Sequence, residues 1–251
     1  MGALYLKPQR GSSNLLRGLS PNIWSQSPLT QLSVGGLDEG FGIIDDFLTF
    51  DDENKWVLTQ ATAGTAALDV AAKGGVLLLD SASSTNNQGV QVQLGGAAGA
   101  SSFIPSATSK IYYEARIKAA DIGSTTCQVF AGLAIVDTSV FASAANSTAN
   151  HIGYEAINST AVGIHSEKAG TRSSTASAHT LVDDTYVKLG FVVDGLTSVT
   201  PFVNGVAKTA ITTNIPIVAL TPSFVCHSSG TTDPILHVDW VSVYQEEQID
   251  N

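Results

Sequence analysis

Residues 110–119 read KIYYEARIKA. Ile111, Tyr113, Ala115 and Ile117 fall on one side of this stretch, and Tyr112, Glu114, Arg116 and Lys118 fall on the other. Successive side chains of a strand point to opposite faces, so the pattern predicts a strand with one face on a core and one in water. Working outward, Tyr186–Val193 (YVKLGFVV) repeats the alternation, with Val187, Leu189, Phe191 and Val193 on one face. So does Ile235–Gln245 (ILHVDWVSVYQ) near the end of the chain.

The segments between these strands carry the same signature. Asp45–Phe50 and Trp56–Thr59 are expected as an opening strand and its continuation, separated by the acidic turn at Asp51, Asp52 and Glu53. Gly74–Asp80, Gly89–Leu94, Cys127–Asp137, His151–Asn158, Val162–Glu167, Val199–Val203, Ile215–Leu220 and Ser223–His227 supply further strands. The pattern is weak from Ala61 to Ala72. Gly95–Ser102 and Ala169–Ala178 read as small-residue loops, and Thr138–Asn150 as a loop or short helix. Asn204-Gly205 after Val199–Val203 is a strong hairpin signal. About a dozen strands with frequent turns and no long helix predict an all-β sandwich or barrel.

The chain has 251 residues and a formal net charge of −10. That length can bury a large core without cross-links, and the acidic balance argues against nucleic acid as a partner. The charge is uneven. Residues 1–37 carry Lys7, Arg10 and Arg17 and no acid, so the remainder holds −13. Pro8, Gly11, Gly18, Pro21, Pro28, Gly35 and Gly36 punctuate this first stretch, and no hydrophobic period survives between them. Its leucines and aromatics are too many for a solvated tail. The organisation expected is an extended docking arm over 1–40, a body over 41–247 and a short acidic tail over 248–251. The arm covers either its own body or another subunit, with another subunit favoured. Its expected docking residues are Leu4, Tyr5, Leu6, Arg10, Leu15, Leu16, Arg17, Ile23 and Trp24.

Cys127 and Cys226 are far apart and in apolar contexts, which suits two buried free thiols or one cross-strand bridge. No run approaches the roughly 20 apolar residues of a membrane span, and no secretory leader is evident. A soluble protein made in a cytoplasm, with no membrane partner, is expected. The five histidines are scattered singly, without metal-ligand spacing. No G-x-S-x-G elbow or phosphate loop occurs.

KIYYEARIK in mid-chain, the hairpin FVVDGLTSVTPFVNG and the terminal VDWVSVYQ together resemble the concanavalin A-like lectin/glucanase superfamily. The similarity is greatest to its laminarinase and lichenase type of glycoside hydrolase. It covers roughly residues 41–245 and implies a jelly roll of two antiparallel sheets, one concave and one convex. Such enzymes keep their chemistry in an E-x-D-x-x-E stretch one strand after the Y-x-E-A-R-I-K strand. Retaining hydrolysis needs two carboxylates about 5 Å apart. The corresponding strand here, CQVFAGLAIVD, has no carboxylate before Asp137, and the motif occurs nowhere in the chain. The fold is therefore expected without that chemistry.

The resemblance also implies a structural calcium bound through the aspartate of the last strand, here Asp239; no other cofactor is expected. In lectin-like use, sugar-stacking aromatics would be Tyr112, Tyr154 and Trp240. The Ser/Thr/Ala/Gly-rich style resembles phage virion proteins that carry this fold. The function expected is a non-enzymatic capsid decoration or cement protein of a tailed bacteriophage, located on the virion surface. Its partners would be the major capsid protein and its own copies, as a trimer or dimer. The alternative is a carbohydrate-binding, lectin-like adhesion module, free or on a tail fibre.

Overall fold

A computed structural model of the chain describes residues 18–25, 27, 40–52, 54–82, 85–95, 103–122, 127–137, 140, 149–175, 177–230 and 232–246. It opens with the single helical turn α1 (Pro21–Trp24), and the described residues are otherwise strands and their connections. The strands are β1 (Gly40–Asp45), β2 (Trp56–Ala61), β3 (Thr65–Leu68), β4 (Leu77–Asp80), β5 (Gly89–Leu94) and β6 (Lys110–Ala120). After them come β7 (Cys127–Ala134), β8 (His151–Ser159), β9 (Ala161–Lys168), β10 (Thr171–Ser174) and β11 (His179–Thr180). The last are β12 (Thr185–Asp194), β13 (Ser198–Val203), β14 (Val206–Ala207), β15 (Thr221–His227) and β16 (Ile235–Glu246).

They form two eight-stranded antiparallel sheets. Sheet A runs β14-β13-β12-β6-β16-β4-β3, with β1 also paired to β16. Sheet B runs β10-β9-β8-β7-β15-β5-β2, with β11 on β9. The core lies between them. Sheet A supplies Ile111, Tyr113, Ile117, Leu189 and Phe191; sheet B supplies Val129, Leu133, Ile152, Tyr154, Ile164 and Phe224. Burying each such side chain stabilises the fold by about 1.5–3 kcal/mol. The β12 alternation is borne out, and Tyr113 stacks on Phe191 at 4.7 Å.

Local chemistry sets the joins. Asn204 and Gly205 both take positive φ (49° and 76°), as a two-residue hairpin turn requires. In β16 the pairing with β6 shifts between Val238 and Trp240, which leaves Asp239 as the extra residue of a bulge. The inward set therefore changes phase, from Leu236 and Val238 to Val241 and Val243.

Several boundaries depart from expectation. The opening strand is β1, and it ends at Asp45, where 45–50 was expected. Phe47 sits in the left-handed region (φ 50°), with its N–H on Asp45 Oδ1 at 2.9 Å, so the chain turns there. A strand, β3, lies in the weak stretch 61–72. Residues 215–220 form no named strand; Leu220 bridges only to Phe103. The expected loop 169–178 contains β10, joined to β9 by Ala169 and Gly170, both at positive φ. The tail 248–251 and the loop residues 96–102 and 141–148 lie outside the described residues.

Candidate functional site

On the outer face of β6, Tyr112 and Glu114 were expected in water. Both are fully buried, because residues 18–25 lie across them. Glu114 Oε2 accepts the backbone N–H of Ser20 and the indole N–H of Trp24, each at 2.8 Å. Lys188 Nζ donates to Gly18 O and Asn22 Nδ2 to Gly205 O, also at 2.8 Å. Ile23 enters a pit above Gly190, where a Cβ would stand 2.6 Å from its Cδ1. Trp24 packs on Tyr112 with ring centroids 6.1 Å apart, and both join Phe202 and Tyr244 in a cluster separate from the main core. Burial pushes the Lys188 amine below its ordinary pKa, and Glu114 partly offsets this.

Ile23 and Trp24, expected to dock on another subunit, therefore sit on the chain's own sheet. The other seven expected docking residues, Leu4, Tyr5, Leu6, Arg10, Leu15, Leu16 and Arg17, lie outside the described residues. The glycan assignment is corrected for two of its three aromatics. Tyr112 is covered by the segment, and its hydroxyl donates to Glu246 Oε1 at 2.7 Å. Tyr154 points into the core, its hydroxyl 2.9 Å from the carbonyl oxygens of Gly190 and Phe202. Trp240 stays half-buried.

The calcium assignment does not fit. The bulge aims Asp239 at Arg116, and the two form an ion pair with the carboxylate almost wholly buried. A guanidinium stands where the ion was implied. No group of three or more His, Cys, Asp or Glu suited to a metal occurs among the described residues.

The outer face of sheet B holds what the sequence reading missed. β8 presents His151, Gly153 and Glu155 on alternate positions, and β9 and β10 add His165, Glu167 and Arg172 beside them. His151 Nε2 lies 2.5 Å from Glu155 Oε1, while its Nδ1 lies 2.7 Å from Ala149 O. Arg172 donates to Glu155 Oε2 (2.9 Å), Glu167 Oε2 (2.8 Å) and His165 Nδ1 (2.8 Å). Arginine has no acceptor, so that His165 nitrogen must accept. Burial pushes the Glu155 carboxyl up, but its contact with His151 and the charge of Arg172 outweigh it. The result lies below the ordinary value. Burial, with Arg172 and His151, depresses His165. The signal that could have found this cluster is strand alternation applied to H-x-x-x-E and H-x-E. Histidines single in sequence become neighbours across a sheet.

Beside the cluster the face is closed. Phe130 lies over Gly132 and Gly153, and packs with Ala134, Val140 and Val225. Gln91 and Gln93 hold the connection after β7, with bonds to the backbone of Ile135, Asp137 and Val140. These bonds draw Ile135, Asp137 and Val140, which follow β7, toward β5, beyond the neighbouring strand β15.

Cys127 and Cys226 are free, buried thiols, which resolves the two readings left open. Burial pushes Cys127 up to about 12, so neither thiol is an available nucleophile. Among the described residues no helix is long and apolar enough to cross a membrane.

No known family profile and no curated protein sequence matches the chain. Solved structures do. Peanut lectin superposes with a TM-score of 0.59 at 12% identity, over 85% of this chain and 100% of its own. Bacillus licheniformis β-glucanase gives 0.54 at 14% identity, over 86% and 100%. A carbohydrate esterase of the Shiga toxin-encoding bacteriophage phi24B gives 0.50 at 15% identity, over 76% and 89%. With two antiparallel sheets in matching layers, the chain has the concanavalin A-like jelly-roll fold of these lectins and glucanases.

Proposed function

We propose that the chain is a non-catalytic structural protein of a virus particle. In this reading it is a capsid decoration protein of a tailed bacteriophage, docked on the shell through the arm residues that precede Gly18. The observation that carries the reading is the clamped root of the arm. Glu114, Lys188 and the Gly190 pit fix residues 18–24 to sheet A, so a pull on the preceding residues is transmitted to the whole sandwich. An arm that orders on a neighbour can cover a large area, and repeated contacts around a symmetric shell add avidity. The closed outer face of sheet B and a phage protein among the structural neighbours are compatible with this role. Partners would be the major capsid protein and further copies of the chain, as a trimer or dimer.

Quantitative mass spectrometry of particles purified from the source tests it. Hundreds of copies in fixed ratio to the shell protein are expected. A handful of copies would point to a tail or fibre adhesin, and absence would end the virion reading. Full-length chain and a variant lacking residues 1–17 would then be compared. The variant should stay folded and fail to attach.

One observation favours a second reading, glycan binding. An open groove of about 560 Å³ is lined by four threonines and two serines, among them Ser174 and Thr212, together with Ala210 and Ile211. A glycan array with the full chain and with Ser174→Ala/Thr212→Ala checks it. Sugar binding that survives deletion of residues 1–17 and falls with the groove variant would favour a lectin.

A further inference from the structure

Beneath residues 18–25 the Glu114 carboxylate is bonded through one oxygen only. Oε2 accepts the Ser20 amide and the Trp24 indole, each at 2.8 Å. Oε1 is buried and has no hydrogen-bond partner among the described residues. Neither has the Ser242 hydroxyl, which is fully buried as well. These two orphans are neighbours. Glu114 and Ser242 are directly opposed across β6 and β16. Both lie on the outer face, since Ala115, Val241 and Val243 beside them belong to the core between the sheets. Opposed side chains of an antiparallel pair stand about 4.5–5.5 Å apart at Cβ.

The two groups do not bond each other, and the neighbouring strand shows why. Glu114 leans toward β12, where a Cβ on its opposed residue, Gly190, would lie 3.2 Å from Glu114 Cγ. Ser20, which donates to the carboxylate, abuts Gly205 on that same side. Its own hydroxyl, a third orphan, is turned to Gly205. Ser242 is too short to follow the carboxylate from β16, so a gap is left between its Oγ and Glu114 Oε1.

We propose that this gap is a binding site for one ordered water molecule, held by Glu114 Oε1 and Ser242 Oγ and sealed in by residues 18–25. Water fits the chemistry. It donates to the carboxylate oxygen and accepts from the serine hydroxyl, whereas buried polar groups left bare are rare and costly. A buried water is held by about two to four polar partners. A calcium ion asks for about six to eight oxygens, and no group suited to a metal lies here. The root of the arm is thus fastened through a hydrated carboxylate, and the water leaves only when the segment lifts. The inference rests on the seating of residues 18–25 and stands apart from the virion reading.

A crystal structure of the full chain, at a resolution that shows waters, tests it. Density within hydrogen-bond distance of both Glu114 Oε1 and Ser242 Oγ is expected. A direct bond between Ser242 and Glu114, or a Glu114 open to bulk solvent, overturns the proposal. So does an anomalous signal at that position after soaking with rubidium, which would make the ligand a cation. Two variants test it in solution. Ser242→Ala leaves room for a second water in place of the hydroxyl, so its melting temperature should fall little. Ser242→Val removes both the hydroxyl and the room and strands Oε1, so it should fall by roughly 4–8 °C. If Ser242→Val melts at or above Ser242→Ala, the gap is dry and the proposal falls. Circular dichroism of each variant confirms that it is folded.

Discussion

At the scale of single residues, the charges that matter are the buried ones. Glu155 and Glu167 are almost wholly buried, and both depend on Arg172. Removing one partner of a buried ion pair leaves an uncompensated charge, which costs about 3–5 kcal/mol. Arg172→Met should therefore lower the melting temperature sharply, whereas Arg172→Met with Glu155→Gln and Glu167→Gln should recover much of the loss. If the single variant melts like wild type, the cluster is not structural. His227 gives a separate effect. Burial lowers it to about 4, against about 6.5 in an unfolded chain. Below pH 6.5 the unfolded chain binds a proton that the folded chain refuses. Stability from this group is thus full above that pH and is lost as pH falls toward 4, by up to about 3 kcal/mol. Glu155, held below the usual carboxylate range, adds a loss of the same sign at lower pH. Melting followed from pH 7 to 4 should show a shallower decline in His227→Gln; an unchanged slope would remove His227 from the account.

At the scale of elements, α1 decides more than its single turn suggests. It owes its place to Ile23 in the Gly190 pit and Trp24 on Glu114. Truncating a large buried aromatic costs about 3–5 kcal/mol where the site cannot collapse. Because α1 lies outside the main core, Trp24→Ala should release the segment at a smaller cost. Limited proteolysis should then cut near residues 18–27 while the sandwich resists. Equal resistance to wild type would mean that Trp24 is not the anchor. The strands themselves were legible. β6, β12 and β16 declare themselves by period two, and the β13–β14 turn by Asn-Gly. Even the β16 bulge leaves a trace in the three-residue step from Val238 to Val241. What covers a strand's polar face was not legible. The alternation of KIYYEARIKA is the same whether Tyr112 meets water or Trp24. For the same reason His151, Glu155, His165 and Arg172 looked unrelated, since cross-strand neighbours depend on register rather than on spacing along one strand.

At the scale of the whole molecule, the jelly roll is shared with sugar-cleaving and sugar-binding proteins, so function has to be argued from its faces. A retaining glycosidase needs one carboxylic acid kept protonated near neutral pH and a second carboxylate free to attack, with a sugar able to reach both. Here each condition is opposed. The Glu155 carboxyl is held below its ordinary value, with His151 and Arg172 beside it. Arg172 occupies Glu155 and Glu167 together, and Phe130 with Ile135, Asp137 and Val140 closes the neighbouring surface. Incubation of the full chain with β-1,3- and β-1,4-linked glucans should release no reducing sugar above a protein-free blank from pH 5 to 8, and Glu155→Gln should match wild type throughout. Sugar release by wild type that disappears in Glu155→Gln would show that the cluster opens in solution. The buried charges would then be a catalytic site caught closed, and the binding role proposed for the molecule would have to give way to chemistry.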